Sequence, residues 1–394
     1  MMKRIWVAMI VVLGYSCGSD DSSDYVPVNP YTNISATFGS AVNPDNLYNY
    51  ANQTIPNYIT KDNSGGNPIT DKGATLGRVL FYDKDLSSNN TISCSSCHQQ
   101  ANAFSDTQVA STGVNGTTGR HSMRLINTRF ANETRFFWNE RAVNLETQTT
   151  MPIKDHGEMG FSGTNGDADF SALLTKLSAI GYYKELFQWV YGSEEITEAK
   201  IQLALAQFVR SIQSFDSKYD IGRAQVANDA QPFPNFTNQE NQGKNLFLAP
   251  PVFDGNGNRT SGGLGCAGCH AAPEFDINPN SGNNGIIGVL NGTGIDVGNT
   301  RAPSLRDLVK LDGTTNGPMM HTGVITTLQA AVGHYGTINI APGNTNLDAK
   351  LRPNGFGQQL HLTAPEVNAV IAFLRTLSGT NVYTDPKWSN PFPN

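Results

Sequence analysis

Cys94-Ser95-Ser96-Cys97-His98 and Cys266-Ala267-Gly268-Cys269-His270 are two copies of one pattern, C-x-x-C-H. At this spacing two thiols reach the vinyl groups of one haem as thioethers while the adjacent histidine ligates its iron. The pattern makes Cys94, Cys97, Cys266 and Cys269 attachment points, and His98 and His270 proximal ligands, for two covalently bound haem c groups. Paired C-x-x-C motifs also suit a four-thiolate zinc site or a redox dithiol. The histidine directly after each second cysteine, and the wide separation of the motifs, favour haem.

The fifth cysteine, Cys17, has a different setting. Met1-Met2-Lys3-Arg4 is basic, and the apolar run over 5–13 is too short to span a bilayer, so residues 1–16 read as a secretory signal. Leu13-Gly14-Tyr15-Ser16 before Cys17 resembles a bacterial lipoprotein signal, which implies cleavage there and a lipid on the thiol. The bland alternative is an ordinary signal with an incidental cysteine. Ser19-Asp20-Asp21-Ser22-Ser23-Asp24 resembles the export tag of some outer-membrane lipoproteins, or serves as a solvated spacer. The expected location is the periplasm or cell envelope, with a lipid anchor in the outer membrane.

With 394 residues the chain has room for two domains, matching the motif count. Its 27 basic and 33 acidic residues, net charge -6, leave no footprint for nucleic acid and suit docking of a basic electron-donor protein. Residues 17–59 are polar and Pro- and Ser-bearing and read as a tether. Helices are expected over 70–81, 167–191, 195–215 and 238–248. A last one starts at the capping box Thr363-Ala364-Pro365-Glu366 and ends by Gly379. The Pro-bearing stretch 224–235 reads as a linker, which divides the chain into 60–225 and 226–394, and helix, loop and C-x-x-C-H recur in each half. No strand pattern stands out. The expected fold is all-α: two cytochrome c-like haem domains with long loops.

Leu76-Gly77-Arg78-Val79-Leu80-Phe81, Phe137-Trp138-Asn139-Glu140-Arg141-Ala142, Pro303-Ser304-Leu305-Arg306 and His321-Thr322-Gly323 resemble segments of the bacterial di-haem cytochrome c peroxidase and MauG family, over about residues 60–380. The resemblance implies a peroxidatic N-terminal haem and a C-terminal haem that stores and relays electrons. The implied activity is reduction of hydrogen peroxide with electrons from a small donor such as a cytochrome c. The alternatives are a MauG-like oxidase that modifies a partner protein and a non-enzymatic electron-transfer cytochrome. Members of the family often form homodimers.

The resemblance also assigns residues. Relatives that need reductive activation carry a removable distal histidine in S-x-G-H; here the segment is Ser111-Thr112-Gly113-Val114, and valine cannot ligate iron. His121, where relatives have asparagine, is the nearby imidazole able to replace it. Glu158 matches the distal acid–base glutamate, Gln148 its companion and Trp138 the relay between the haems. By position alone Glu158 has no claim over Asp155 or Glu146. The second haem's sixth ligand falls on Tyr335, with Met319, Met320 and His334 as competitors. The calcium ion usual between the haems falls on His121, Asn316 and Pro318, and imidazole is a poor ligand for so hard a cation.

Overall fold

Threonine caps decide where the principal helices begin. The computed structural model describes residues 30–132, 135–277 and 281–393; residues 1–16 and Cys17, on which the signal and lipid expectations rest, lie outside them. Around the first motif stand α1 (Thr32–Phe38), α2 (Asp71–Tyr82), α3 (Cys94–Cys97), α4 (Leu145–Thr150), α5 (Phe170–Ser178), α6 (Gly181–Tyr191) and α7 (Glu198–Ser211). Around the second stand α8 (Lys218–Arg223), α9 (Asn238–Leu248), α10 (Leu328–Gly336) and α11 (Ala364–Arg375). The hydroxyls of Thr70, Thr197, Thr237, Thr327 and Thr363 accept the exposed backbone N–H groups at the starts of α2, α7, α9, α10 and α11. Each cap satisfies a donor that the helix itself leaves open.

Two hydrophobic cores form. The first gathers Leu76, Leu80, Phe81, Phe104, Leu173, Leu205 and Phe208, the second Tyr219, Phe247, Phe275, Leu360 and Phe373. One packing device occurs in both. A Cβ on Gly77 of α2 would lie 2.0 Å from the Ala204 carbonyl oxygen of α7 and 2.7 Å from Phe208 Cβ. A Cβ on Gly243 of α9 would lie 1.9 Å from the Ala369 carbonyl oxygen of α11 and 3.0 Å from Phe373 Cβ. In each lobe, then, the helix before the motif crosses a later helix backbone-to-backbone, at a glycine facing an alanine whose neighbour one turn on is phenylalanine.

The all-α expectation needs correcting in detail: three two-stranded antiparallel ladders occur, β1 (Thr112–Gly113) with β2 (Gly116–Thr117), β3 (Pro251–Phe253) with β4 (Arg259–Gly262), and β5 (His270–Ala271) with β6 (Asp276–Ile277). Strands this short carry no alternating pattern for a sequence to display. The helix expected over 167–191 is two, because Ile180 is extended and Gly181 abuts the Asn33 side chain of α1. The last helix stops at Arg375, not near Gly379. The end of the expected tether is packed: Ile34 and Phe38 of α1 are in the first core, and Glu185 accepts the Asn33 and Ile34 N–H groups.

The C-terminal segment returns to the first core. After the second lobe, Val382 and Trp388 bury themselves in the first core. Arg78 Nε donates to the Ser389 carbonyl at 2.6 Å, and the Tyr82 hydroxyl to the Trp388 carbonyl at 2.6 Å. The Trp388 indole N–H points to Ser211 Oγ at 3.3 Å. No helix of the described residues is long and apolar enough to cross a membrane.

Candidate haem sites

The first motif is held by local bonds. Ser93 and Ser96 form a capping box that closes the single turn of α3. The chain then doubles back through Ala103 and Phe104, both at positive φ, bringing the Phe104 carbonyl to 3.2 Å from His98 Nδ1. In the second motif the Pro303 carbonyl stands 3.1 Å from His270 Nδ1. A carbonyl can only accept, so Nδ1 carries the proton and Nε2 keeps its lone pair in both rings, the state of an imidazole that ligates metal. Burial favours the neutral ring in each, pushing His270 down to about 4 and lowering His98.

Burial also raises the thiols, Cys94 and Cys266 to about 12 and Cys97 to about 11. They form no disulfide, and among the described residues no group of three or more His, Cys, Asp or Glu side chains converges as a metal site would need. Beside the second motif lies a cavity of about 490 Å³, mostly apolar, with Cys266, Cys269, His270 and Tyr335 in its wall. Its volume is in the range of cofactor sites, roughly 300–1,000 Å³. Thiols, neutral imidazole and apolar wall together fit a covalently attached haem.

Three carboxylates compete near the first motif, and their bonds separate them. Glu146 pairs with Arg210 and accepts from Asn67, which lower its pKa against burial. Asp155 Oδ1 is spent on the N–H groups of Gly157 (2.8 Å) and Glu158 (3.1 Å). Glu158 has no ion pair among the described residues; burial, with Asp155 adding and Arg141 opposing, pushes its carboxyl up to about 7. Its charge reaches Cys94 and Cys97.

The β1–β2 hairpin holds Glu158 from the other side. Val114 N–H donates to the Glu158 carbonyl (3.0 Å) and Asn115 N–H to that of Gly157 (3.2 Å). Gly113 has no Cβ because one would lie 2.0 Å from the Gly157 carbonyl oxygen. Val114 thus stands beside Glu158, and His121 does not: it lies within electrostatic reach of His98. Gln148 is half-buried on α4, and no hydrogen bond joins it to Glu158 among the described residues.

Trp138 joins the two lobes. It is buried in the wall of the second cavity. Its indole N–H donates to the His121 carbonyl at 2.7 Å, and its own carbonyl accepts from Thr300 (2.9 Å) and Arg301 (3.0 Å). Its ring meets that of His321 edge-on at 6.3 Å.

Tyr335, on α10, projects into the second cavity close enough to feel the charge of Cys269 and Cys266, and its pKa is raised by burial. Met319 and Met320 share the wall, whereas His334 is not part of it: its Nε2 is bonded to the Asn284 carbonyl at 2.9 Å. Asn284, in the Gly- and Asn-rich run Ser281-Gly282-Asn283-Asn284-Gly285, gave no signal in the sequence, since such runs usually read as plain loop.

The calcium assignment meets a mismatch. His121 Nδ1 is 3.0 Å from the Gln108 carbonyl, so the lone pair is on Nε2, which is buried without a partner, as is Asn316 Oδ1. A calcium ion is bound by oxygen, and the His121 side chain presents nitrogen. The His121 side chain therefore does not fit that ion, whereas Asn316 Oδ1 is a donor of the right kind.

Comparison with known proteins follows the same lines. Residues 71–227 match the family model described as di-haem cytochrome c peroxidase. The chain is 28% identical over 322 residues to the methylamine utilization protein MauG of Methylophilus methylotrophus, covering 79% of this chain and 84% of that one. It is 27% identical over 318 residues to the cytochrome c551 peroxidase of Nitrosomonas europaea, covering 78% and 80%. Among solved structures, a MauG-like protein associated with microbial copper homeostasis superposes with a TM-score of 0.67 at 28% identity, covering 86% of this chain and 99% of the other.

Proposed function

Because the chain carries the domain of the di-haem cytochrome c peroxidase family, with relatives on both its peroxidase and MauG sides, we propose that it is a two-haem peroxidase reducing hydrogen peroxide to water. One haem c is held by Cys94, Cys97 and His98 in the lobe of residues 60–225. The other is held by Cys266, Cys269 and His270 in the lobe of residues 226–394. The observation that carries the reading is the buried carboxyl of Glu158, without an ion pair among the described residues, fixed beside Val114 and within electrostatic reach of the first pair of thiols.

A bound haem, held by these cysteines and histidines, would supply the redox chemistry. The chain supplies the proton path. Overall, peroxide, two electrons and two protons give two waters. Glu158 takes the proton from the inner peroxide oxygen and delivers one to the outer oxygen, which leaves as water as the O–O bond breaks. A carboxyl with a pKa near working pH suits both halves of that task. Gln148 orients the substrate from α4. Trp138, tied to both lobes, would carry electrons between bound haems, and Tyr335 would help hold the second. The external donor is a small protein such as a cytochrome c, met in the periplasm, where a lipid on Cys17 anchors the chain.

Val114 and Tyr335 favour the MauG-like alternative, in which the oxidised pair draws electrons from a partner protein's side chain. An electron paramagnetic resonance spectrum of the ferric holoprotein, before any reduction, tests the shared premise. A high-spin signal that peroxide abolishes is expected. Two low-spin haems that ignore peroxide would mean an endogenous ligand, with His121 the first suspect, and would leave either a peroxidase that needs reductive activation or the electron-transfer reading. Turnover with a reduced small cytochrome then supports the peroxidase, and peroxide-dependent modification of a co-purifying protein the oxidase.

A further inference from the structure

Three side chains able to ligate iron stand near Tyr335 or against it: Met319, Met320 and His334. One residue, Asn284, touches two of the four contenders. Its Oδ1 accepts the Ile286 N–H at 3.0 Å, which fixes the orientation of the amide and turns both N–H donors the other way. Nδ2 lies 3.2 Å from the Met320 sulfur, and the Tyr335 side chain shares the cavity wall with Asn284 and Met320. The backbone carbonyl of Asn284 holds His334 Nε2 at 2.9 Å.

The loop has little freedom to move Asn284. Asn283, fully buried, donates to the Ile286 carbonyl at 3.0 Å and receives the Gly285 N–H at 2.7 Å. Its own N–H donates to the Asn346 carbonyl at 2.7 Å. Gly282 N–H donates to the buried Asp348 carboxylate at 2.7 Å. The amide is therefore presented to Met320 from a fixed position.

We infer that Asn284 is the positioning residue that selects Tyr335, over Met320 and His334, as the sixth ligand of the second haem. The inference rests on the reading of this cavity as a haem site with Tyr335 as ligand. One amide N–H engages the Met320 thioether and ties it to the loop. The carbonyl removes His334 from contention. Residues outside the ligand set commonly fix which atom a metal receives and how basic that atom is, and exchange of an anionic oxygen for a thioether raises a haem potential.

The test uses the full-length holoprotein and near-infrared magnetic circular dichroism, which distinguishes thioether from phenolate ligation, with the second-haem potential read in parallel. Asn284→Asp is nearly isosteric and keeps the bond to Ile286 N–H while removing both donors; Asn284→Leu removes donors and acceptor together. Both variants are expected to gain a thioether signature and a higher potential, and adding Met320→Leu is expected to abolish that signature. A wild-type spectrum and potential in both single variants would overturn the inference. Tyr335→Phe separates the two levels: if it leaves the second-haem spectrum unchanged, the Tyr335 reading falls and the inference falls with it. If Tyr335→Phe alters the spectrum and the Asn284 variants do not, only the role of Asn284 is lost.

Discussion

In the proposed reaction Glu158 is the side chain on which the chemistry turns, and its surroundings set a pH for it. Burial favours the neutral carboxyl and pushes it up to about 7. The base form that accepts the peroxide proton is the ionised one, so reaction with peroxide should rise with pH through about 7 and level above it. At two units below, about a hundredth of the sites are ionised, and the rate should fall in proportion. Stopped-flow mixing of the ferric holoprotein with peroxide across pH 5–9 measures this. Glu158→Gln should lower the rate by about 10²–10⁴-fold and flatten the profile, with both haems still attached; an undiminished rate would remove Glu158 from the mechanism. The sequence marks Glu158 only by resemblance. What separates it from Asp155 and Glu146 is who their partners are, and Arg210, 64 residues from Glu146 along the chain, is not a partner that sequence spacing reveals. The haem cysteines and histidines are legible because thioether chemistry demands its ligands within five consecutive residues.

Helices show the same division between local and distant causes. Those over 71–82, 238–248 and 364–375 are legible because their caps are hydroxyls within the sequence window that they stop. The helix over Thr32–Phe38 is hidden in a polar stretch, because two apolar residues and a carboxylate 151 residues away hold it in place. The glycine crossings gave no signal in the sequence, where the repeat that shows is helix, loop and C-x-x-C-H. Since a Cβ at Gly77 or Gly243 has a carbonyl oxygen within 2.0 Å, Gly77→Ala and Gly243→Ala should each force their helix pair apart and cost about 1–3 kcal/mol. Thermal unfolding of the two holoproteins checks this; a melting point within a degree of wild type in either would show that the crossing yields without strain.

Across the whole molecule, the two lobes are linked by more than the covalent chain. Trp138 fastens the first lobe to the wall of the second cavity, and residues 382–392 return from the second lobe to finish the first core. Ending the chain after Thr380 should therefore destabilise the distant N-terminal lobe by several kcal/mol, since it removes a buried tryptophan and the partners of Arg78 and Tyr82 together. Hydrogen exchange should show the loss in α2 and α7, with α9 and α11 little changed; equal exchange in α2 would make the return segment a mere surface trim. None of this is visible in the sequence, where Val382 and Trp388 sit in an unremarkable tail.

That returning segment also orders events in time. A chain made from its N-terminus presents its first C-x-x-C-H long before Trp388 exists to fill the core beside it. Until the final residues arrive, the first lobe is an open mould, accessible to whatever machinery joins thiol to vinyl. The tail is then a latch: it shuts the lobe that was made first, after both motifs have had their chance to be loaded.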